Sequence, residues 1–242
     1  MTRKIVHIIA EILIFTCVLV LLTPPSTEAL TLQTVDGGWS NIMHGGSVHF
    51  YDDVASGYGN GQEGQVRWGT PAENGQSGLG FTGVASGSTF GPGDVFEIGQ
   101  LRHFNTPILS GTAADSAQLS LNMAFNDPVG VTEAFDFTFA IDETPNTPGP
   151  PASDDIIDFP TASLLRSFSV AGIDYTFELL GFGPSGTLMI DHFRSPEGTT
   201  NATKLWGKIE SVPSAVPEPA GLLLLGSGLL GVLGLTKKRR MW

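Results

Sequence analysis

The sequence predicts an all-β fold: a single antiparallel β-sandwich or jelly-roll-like domain, flanked by an N-terminal signal helix and a C-terminal transmembrane helix. Apolar residues alternate with polar ones in several short runs, and clusters of Gly, Pro, Asn and Asp separate these runs. No window between the two ends of the chain keeps a helical period. Short period-two runs between turns are typical of sandwiches and jelly rolls, so we expect residues 30–210 to form this domain.

The clearest hairpin is predicted in the middle of the chain. Residues 119–125 and 135–141 place an apolar side chain at every second position, and the turn-forming residues 126–128 follow the first run. Two such runs joined by a turn predict an antiparallel pair with one buried face. Phe137 and Phe139 lie on that face, and we expect both to be buried.

Further strands are predicted on either side of this hairpin. Ala171 and Gly172 join the runs 168–170 and 173–179 as a second hairpin. Weaker strand patterns occupy residues 47–51, 65–68, 78–84, 95–101, 188–193 and 204–210. The proline-rich residues 144–153 are predicted to form a rigid loop inside the domain, because strand-like sequence resumes after them.

The N-terminal residues 1–29 have the features of a secretory signal peptide. Arg3 and Lys4 precede an apolar stretch at 5–22, and small residues lead to a cut after Ala29. The length of the apolar stretch leaves an uncleaved N-terminal anchor as the alternative.

The C-terminal end consists of a linker at 211–219, an apolar segment at 220–236 and a basic tail at 237–242. As a helix, residues 221–236 span roughly 24 Å, somewhat less than a bilayer core of about 30 Å, and flanking residues can cover the difference. We therefore expect a transmembrane helix. The alternative is a buried core helix. This alternative is disfavoured, because the segment is apolar on every face and lies beside a basic cluster.

The polar parts of this end are a short motif and a charge cluster. The linker ends in Val216, Pro217, Glu218 and Pro219, and the tail opens with Lys237, Lys238, Arg239 and Arg240. Basic residues next to a transmembrane helix stay on the cytoplasmic side. This orientation places the rest of the protein on the opposite side of the membrane.

The motif, the apolar helix and the basic end occur in an order that resembles the PEP-CTERM sorting signal of bacterial envelope proteins. The resemblance implies that an exosortase, a membrane enzyme, recognises residues 217–219 and cleaves near them. It also implies an exported protein, anchored in the membrane facing the periplasm or exterior and then found at the cell surface or in the extracellular matrix.

The region between the two ends is strongly acidic. Residues 30–215 carry six basic and 21 acidic side chains, a formal charge of −15. A phosphate backbone needs a basic face, so this charge excludes nucleic acid as a partner. The one cysteine, Cys17, lies in the signal region, which excludes disulfides and thiolate metal sites from the domain.

Residues 65–210 resemble the choice-of-anchor K domain, an uncharacterised module found ahead of different surface anchors. The segments that carry the resemblance are 66–71, 76–79, 98–105, 142–146 and 181–182. The resemblance implies surface display and a β-rich fold, and it implies no activity or catalytic residue.

Acidic residues lie at both ends of the proline-rich loop. Asp142 and Glu143 precede it, and Asp154, Asp155 and Asp158 follow it. Oxygen ligands brought together by a loop suit calcium, so Asp142, Asp154 and Asp155 are the candidate ligands of a calcium ion. The alternative is that these acids are solvated loop ends that only add negative charge.

Five aromatic residues could stack on the sugar rings of an exopolysaccharide partner: Trp39, Tyr51, Tyr58, Trp68 and Trp206. Tyr58 and Trp39 are the preferred candidates. Tyr58 lies in a glycine-rich loop, and Trp39 lies near the predicted start of the domain. Large aromatic side chains of a sandwich more often pack in the core, which we expect for Trp68.

No catalytic residue is predicted. The sequence has no Gly-x-Ser-x-Gly elbow at a strand-to-helix turn and no histidine pair with zinc-binding spacing. His103, near Asn105, is expected to form a hydrogen bond at the end of a strand. The expected function is structural or adhesive. A carbohydrate-binding module is the first alternative, and a polysaccharide-active hydrolase, whose carboxylates pair only in space, is the second.

Overall fold

Two antiparallel sheets make up the computed structural model, which describes residues 29–73, 75–127, 131–145, 154–160, 165–170 and 172–212. In chain order the strands are β1 (Leu30–His44), β2 (His49–Ala55), β3 (Gln62–Trp68), β4 (Ser77–Gly83), β5 (Thr89–Phe90), β6 (Val95–Asn105), β7 (Ala114–Asp127), β8 (Val131–Asp142), β9 (Asp155–Asp158), β10 (Leu165–Val170), β11 (Ile173–Ser185), β12 (Leu188–Ile190), β13 (His192–Ser195) and β14 (Thr199–Ser211).

The six-stranded sheet has the order β13-β9-β8-β7-β1-β5. The eight-stranded sheet has the order β10-β11-β14-β6-β4-β3-β2, and β12 pairs with β11 beside this path. None of the residues that the structure describes lies in a helix. The prediction of an all-β fold is therefore confirmed for these residues.

The core consists of side chains from both sheets. Across it, Phe135 of β8 contacts Phe177 of β11 with ring centroids 4.8 Å apart, and Phe139 contacts Phe182 at 5.8 Å. Phe137 and Phe139 are 2% and 0% exposed, which confirms the prediction that both are buried.

The predicted hairpins match the observed pairing. Leu121 of β7 pairs with Phe135 of β8, and Val170 of β10 pairs with Ile173 of β11. The weaker predicted strands all overlap observed ones. The run at 188–193 divides at Asp191 into β12 and β13, which belong to different sheets.

Two strands depart from the sequence pattern. In β1 the register against β7 shifts twice near Leu32 and again after Ser40, so its buried residues do not keep a period of two. The other strand, β9, begins with the buried Asp155 and pairs Ile157 with Ile141 of β8. Asp155 is therefore a buried strand residue and not a solvated loop end, because β9 hydrogen-bonds to both β8 and β13.

The backbones of the two sheets approach each other closely where β1 passes β3. A Cβ atom added to Gly64 would lie 2.3 Å from the carbonyl oxygen of Gly37, which leaves no room for a side chain. Nearby, Nε1 of Trp39 in β1 donates a hydrogen bond to the backbone oxygen of Gly64 in β3 at 3.0 Å. Backbone contact thus replaces side-chain packing at this point.

The described fold begins and ends with paired strand residues. Leu30, the first residue of β1, is fully buried, and Ser211, the last residue of β14, pairs with Tyr175. The predicted signal helix and the predicted transmembrane helix at 220–236 lie outside the described residues, together with the sorting motif and the basic cluster. Across the described ranges, the structure contains no helix long and apolar enough to cross a membrane.

Candidate functional site

A groove of about 580 Å³ lies on the outer face of the eight-stranded sheet. Side chains of β3 alternate between the two faces: Val66 and Trp68 join the core, whereas Gln65 and Arg67 line the groove. The described residues that line it are Tyr51, Val54, Gln65, Arg67, Gly75, Gln76, Phe104, Thr106 and Thr200. None of these carries a carboxylate, and Tyr51 is 46% exposed.

Two guanidinium groups cover the ring of Phe104. The Cζ atom of Arg67 lies 3.3 Å from the ring centroid, and that of Arg102 lies 4.8 Å from it. Phe104 is only 8% exposed although it lies outside the core cluster. Cation–π attraction stabilises this stack. Burial lowers the pKa of Arg67 to about 10, so the group stays charged at neutral pH.

A buried ion pair supports the groove from below. Glu63 is 0% exposed and accepts a hydrogen bond from Nε of Arg102 to Oε1 at 2.6 Å. Its other oxygen accepts hydrogen bonds from Arg102 and from the amide of Gln65. Gln65 in turn accepts two hydrogen bonds from Arg67 at 3.0 and 3.2 Å. Because every member has a partner, the network is rigid.

Glycines on β4 make room for this network. A Cβ atom added to Gly80 would lie 2.5 Å from Oε1 of Glu63 and 3.2 Å from the ring of Phe104. One added to Gly78 would lie 2.6 Å from Cδ of Arg67. The groove therefore has a rigid lining of ring, guanidinium and amide groups, which suits a ligand with both apolar faces and hydroxyl groups.

A second cluster lies between the sheets, at one end of the domain. His103 of β6, Glu143 directly after β8 and Asp155 at the start of β9 each place one ligand atom within 4.8 Å of the others. Nε2 of His103 lies 3.9 Å from Oδ2 of Asp155, and neither side chain is exposed. His103 also stacks on Trp68, with ring centroids 6.5 Å apart.

The expectation that His103 forms a hydrogen bond at a strand end is wrong. Within the described residues, neither of its ring nitrogens has a hydrogen-bond partner, although both are buried. His103 continues the inward-facing set of β6 that includes Leu101, so its imidazole is buried between the sheets. It faces the two carboxyl groups instead.

Hydrogen bonds from neighbouring residues orient both carboxyl groups. Nε1 of Trp68 donates to Oε2 of Glu143 at 3.1 Å, and the backbone N–H of Thr144 donates to Oδ1 of Asp155 at 2.9 Å. Oδ2 of Asp155 has no such partner among the described residues. The free oxygen of Asp155 and the imidazole of His103 therefore face the same space.

Burial dominates the protonation of this cluster. It lowers the pKa of His103 to about 3, with a smaller effect from the charge of Arg67. Burial, with a smaller contribution from the nearby Glu143, raises the pKa of Asp155 to about 8. The pKa of Glu143 is raised for the same reason, by burial first. At neutral pH the imidazole is neutral and Asp155 is protonated.

The candidate calcium ligands lie on different faces of the sheet. Asp142 is exposed, and it pairs with Ile156 in the ladder between β8 and β9. Asp155, next along β9, is fully buried on the opposite face, since successive side chains of a strand alternate. Asp154 is half-buried. The structure thus brings Asp155 to His103 and Glu143, and the calcium site stays a prediction.

The aromatic candidates differ in exposure. Trp39 is 8% exposed and packs against Phe139 at 6.3 Å, so it belongs to the core and has no free face for a sugar ring. Trp68 is fully buried, as expected. Tyr58 is half-buried in its loop and does not line the groove. Tyr51 is the aromatic candidate that is exposed and lines the groove.

Comparison with known proteins identifies the C-terminal end. Residues 215–240 match the PEP-CTERM protein-sorting motif. This motif implies an exported protein that an exosortase-type enzyme processes and sorts to the cell surface. The comparisons give no support to the resemblance with the choice-of-anchor K domain. No curated protein matches the chain.

Proposed function

We propose that this protein is an adhesive component of the cell surface or extracellular matrix, and that its β domain holds a polysaccharide chain in the groove over β2, β3 and β6. The sorting motif supports the location. The observation that carries the binding role is the exposed ring of Tyr51 beside a guanidinium fixed over Phe104.

The chemistry of the lining suits sugar rings. A pyranose has an apolar face that packs on an aromatic ring, and hydroxyl groups that need hydrogen-bond partners. Tyr51 offers the ring, and Arg67, Gln65 and Gln76 offer polar groups. The guanidinium of Arg67 is already held by Gln65 and by the ring of Phe104. Little side-chain entropy is therefore lost when a ligand binds.

The same lining favours binding over hydrolysis. A glycoside hydrolase needs two carboxyl groups about 5–9 Å apart on either side of the scissile bond. No carboxylate lies among the described lining residues. Glu63, directly beneath, is fully buried and ion-paired with Arg102. These features support adhesion rather than a polysaccharide-active enzyme.

Binding to immobilised polysaccharides tests the proposal. Protein purified from its host is passed over the host exopolysaccharide and over neutral and acidic reference polysaccharides. Tyr51→Ala is expected to weaken binding at least tenfold, which corresponds to about 1.4 kcal/mol. Tyr58→Ala is the matched control, because this tyrosine lies outside the groove lining.

Equal binding by wild type and Tyr51→Ala would contradict the groove as the site. A loss in Tyr58→Ala alone would move the sugar contact to the loop of Tyr58. The absence of binding to every polysaccharide would leave a structural role without a glycan partner.

A further inference from the structure

The imidazole of His103 is a buried polar group without a partner. It is 0% exposed, and neither ring nitrogen has a hydrogen-bond partner within the described residues. A buried polar group without a hydrogen bond destabilises the folded state. A bound cation that accepts the imidazole lone pair would supply a partner for one of the two ring nitrogens.

Two carboxyl groups converge on the same space. Glu143 and Asp155 each offer an oxygen within 4.8 Å of the other ligand atoms of the cluster. In the part of the chain that the structure describes, no lysine or arginine forms an ion pair with either of them. Buried carboxylates that lack a basic partner are the groups that a metal cation would neutralise.

The surroundings of the cluster resemble those of metal ligands. Metal-binding side chains are usually oriented by hydrogen bonds from a second layer of residues. Trp68 donates to Glu143, and Thr144 donates to Asp155, which leaves Oδ2 of Asp155 free. Asn105 lies two residues after His103 on the same buried strand, and its Oδ1 atom is also unpartnered within the described residues.

An ion could reach the cluster from solvent. A pocket of about 360 Å³ is lined by Glu143, Thr144 and Pro145 on one side. Residues between Ile108 and Ala113 line the other side. Glu143 thus belongs both to the buried cluster and to the lining of this pocket. We therefore expect an ion that enters through the pocket to contact Glu143 first.

We propose that His103, Glu143 and Asp155 bind one divalent transition-metal ion of the zinc type, which joins β6 of the eight-stranded sheet to the β8–β9 end of the six-stranded sheet. An imidazole with two carboxylates suits Zn²⁺, Mn²⁺ or Co²⁺ better than calcium, which prefers six to eight oxygen ligands. The ion differs from the predicted calcium site in its ligands, because Asp142 lies on the other face of the sheet.

Metal titration of the chelator-treated full-length protein tests this site. Zn²⁺ is followed by calorimetry and by thermal unfolding, and Co²⁺ by its visible absorption. We expect one ion per chain and a higher melting temperature with Zn²⁺. The near-isosteric variants Glu143→Gln and Asp155→Asn are expected to weaken Zn²⁺ binding at least tenfold each. Glu143→Gln should leave any calcium binding unchanged, because Glu143 is not one of the predicted calcium ligands.

The control removes a histidine–carboxylate pair on the surface. His44 and Asp115 lie in contact and are both exposed, and they would attract Zn²⁺ adventitiously. His44→Ala should leave the affinity and the Co²⁺ spectrum unchanged. If His44→Ala abolishes binding, or if the Glu143 and Asp155 variants keep wild-type affinity, the proposal is overturned.

A measurement on the wild type covers the case of a variant that does not fold. The ring nitrogens of His103 should change their ¹⁵N chemical shifts in proportion to added Zn²⁺, up to one equivalent. Unchanged shifts of His103 with saturating Zn²⁺ would overturn the proposal without any substitution. A calcium response that Asp154→Ala removes, with no Zn²⁺ response, would favour the calcium prediction instead.

Discussion

The Nε2 atom of His103 lies 3.9 Å from the Oδ2 atom of Asp155, and both side chains are fully buried. The separation exceeds a hydrogen bond, so the two groups face each other without satisfying each other. Burial holds the imidazole neutral and the carboxyl protonated, because it disfavours the charged form of each. One consequence is a distinct dependence of stability on pH.

In metal-free protein, the free energy of unfolding should fall between pH 6.5 and 8. The pKa of Asp155 rises from 3.8 to about 8 on folding, so the folded state binds more protons in that range. The stability that this group contributes is complete below about pH 4 and is lost as the pH rises through 8. His103, with its pKa lowered to about 3, acts in the opposite direction, but only below about pH 6.5.

Urea unfolding in the presence of a chelator measures this effect. One proton corresponds to a slope of about 1.4 kcal/mol per pH unit at most. The amide of Asp155→Asn does not titrate, so the free energy of unfolding of this variant should fall less steeply between pH 6.5 and 8. Glu143 and Glu197, whose pKa values burial also raises, stay in both proteins. An identical slope in the variant would show that Asp155 does not titrate in this range.

Phe139→Ala should destabilise the domain by about 3–5 kcal/mol. Phe139 is fully buried and contacts rings of both Trp39 and Phe182, so the substitution leaves a cavity that bridges the two sheets. Phe50→Ala is the control, since Phe50 is 51% exposed and its loss should change stability by less than about 1 kcal/mol. Chemical denaturation measures both. Similar losses would contradict the assignment of the core.

Gly80→Ala should disrupt the groove. Its new Cβ atom would collide with Glu63, which holds Arg102, and press on Phe104. We expect a loss of about 1–3 kcal/mol from overpacking together with weaker polysaccharide binding. Gly38→Ala, also in a strand but with no atom within 4 Å of the added Cβ, should change neither. Wild-type binding by Gly80→Ala would show that the network beneath the groove is not required.

Processing at the sorting motif should remove the C-terminus. Mass spectrometry of protein from the native host is expected to find an end near Pro217, Glu218 and Pro219, because residues 215–240 match the sorting motif. Glu218→Ala, which removes the acidic residue of the motif, should leave uncleaved protein. Recovery of wild-type protein that still ends in Trp242 would contradict cleavage.

The sequence predicts well those strands whose burial alternates regularly. In β8 the burial pattern follows strict alternation, and Phe135, Phe137 and Phe139 all face the core. In β1, register shifts move buried residues from one parity to the other, so no period is visible in the sequence. The strand β9 is short and starts with an acidic residue. An acidic residue beside a proline-rich segment is typical of a loop, yet Asp155 is buried.

The candidate sites were harder to predict for a spatial reason. His103, Glu143 and Asp155 are distant in sequence, and only the pairing of the sheets brings them together. A signal was present in β6, where His103 and Asn105 continue the apolar alternation that includes Leu101. A histidine on the apolar face of a strand indicates a buried imidazole, but it does not indicate which residues lie next to that imidazole. The groove likewise depends on glycines of β4 that no local pattern relates to Arg67.

The position of β14 relates folding to export. This strand is the last one in the part of the chain that the structure describes, yet it lies inside the eight-stranded sheet, between β11 and β6. Among the described strands, β2, β3, β4 and β6 are connected to β10 and β11 in this sheet only through β14. A chain that is exported with its N-terminus first cannot complete this sheet until residues 199–211 have crossed the membrane. The sorting motif begins at residue 215, shortly after β14. The strand that completes the sheet and the motif that the sorting enzyme recognises therefore reach the far side of the membrane almost together.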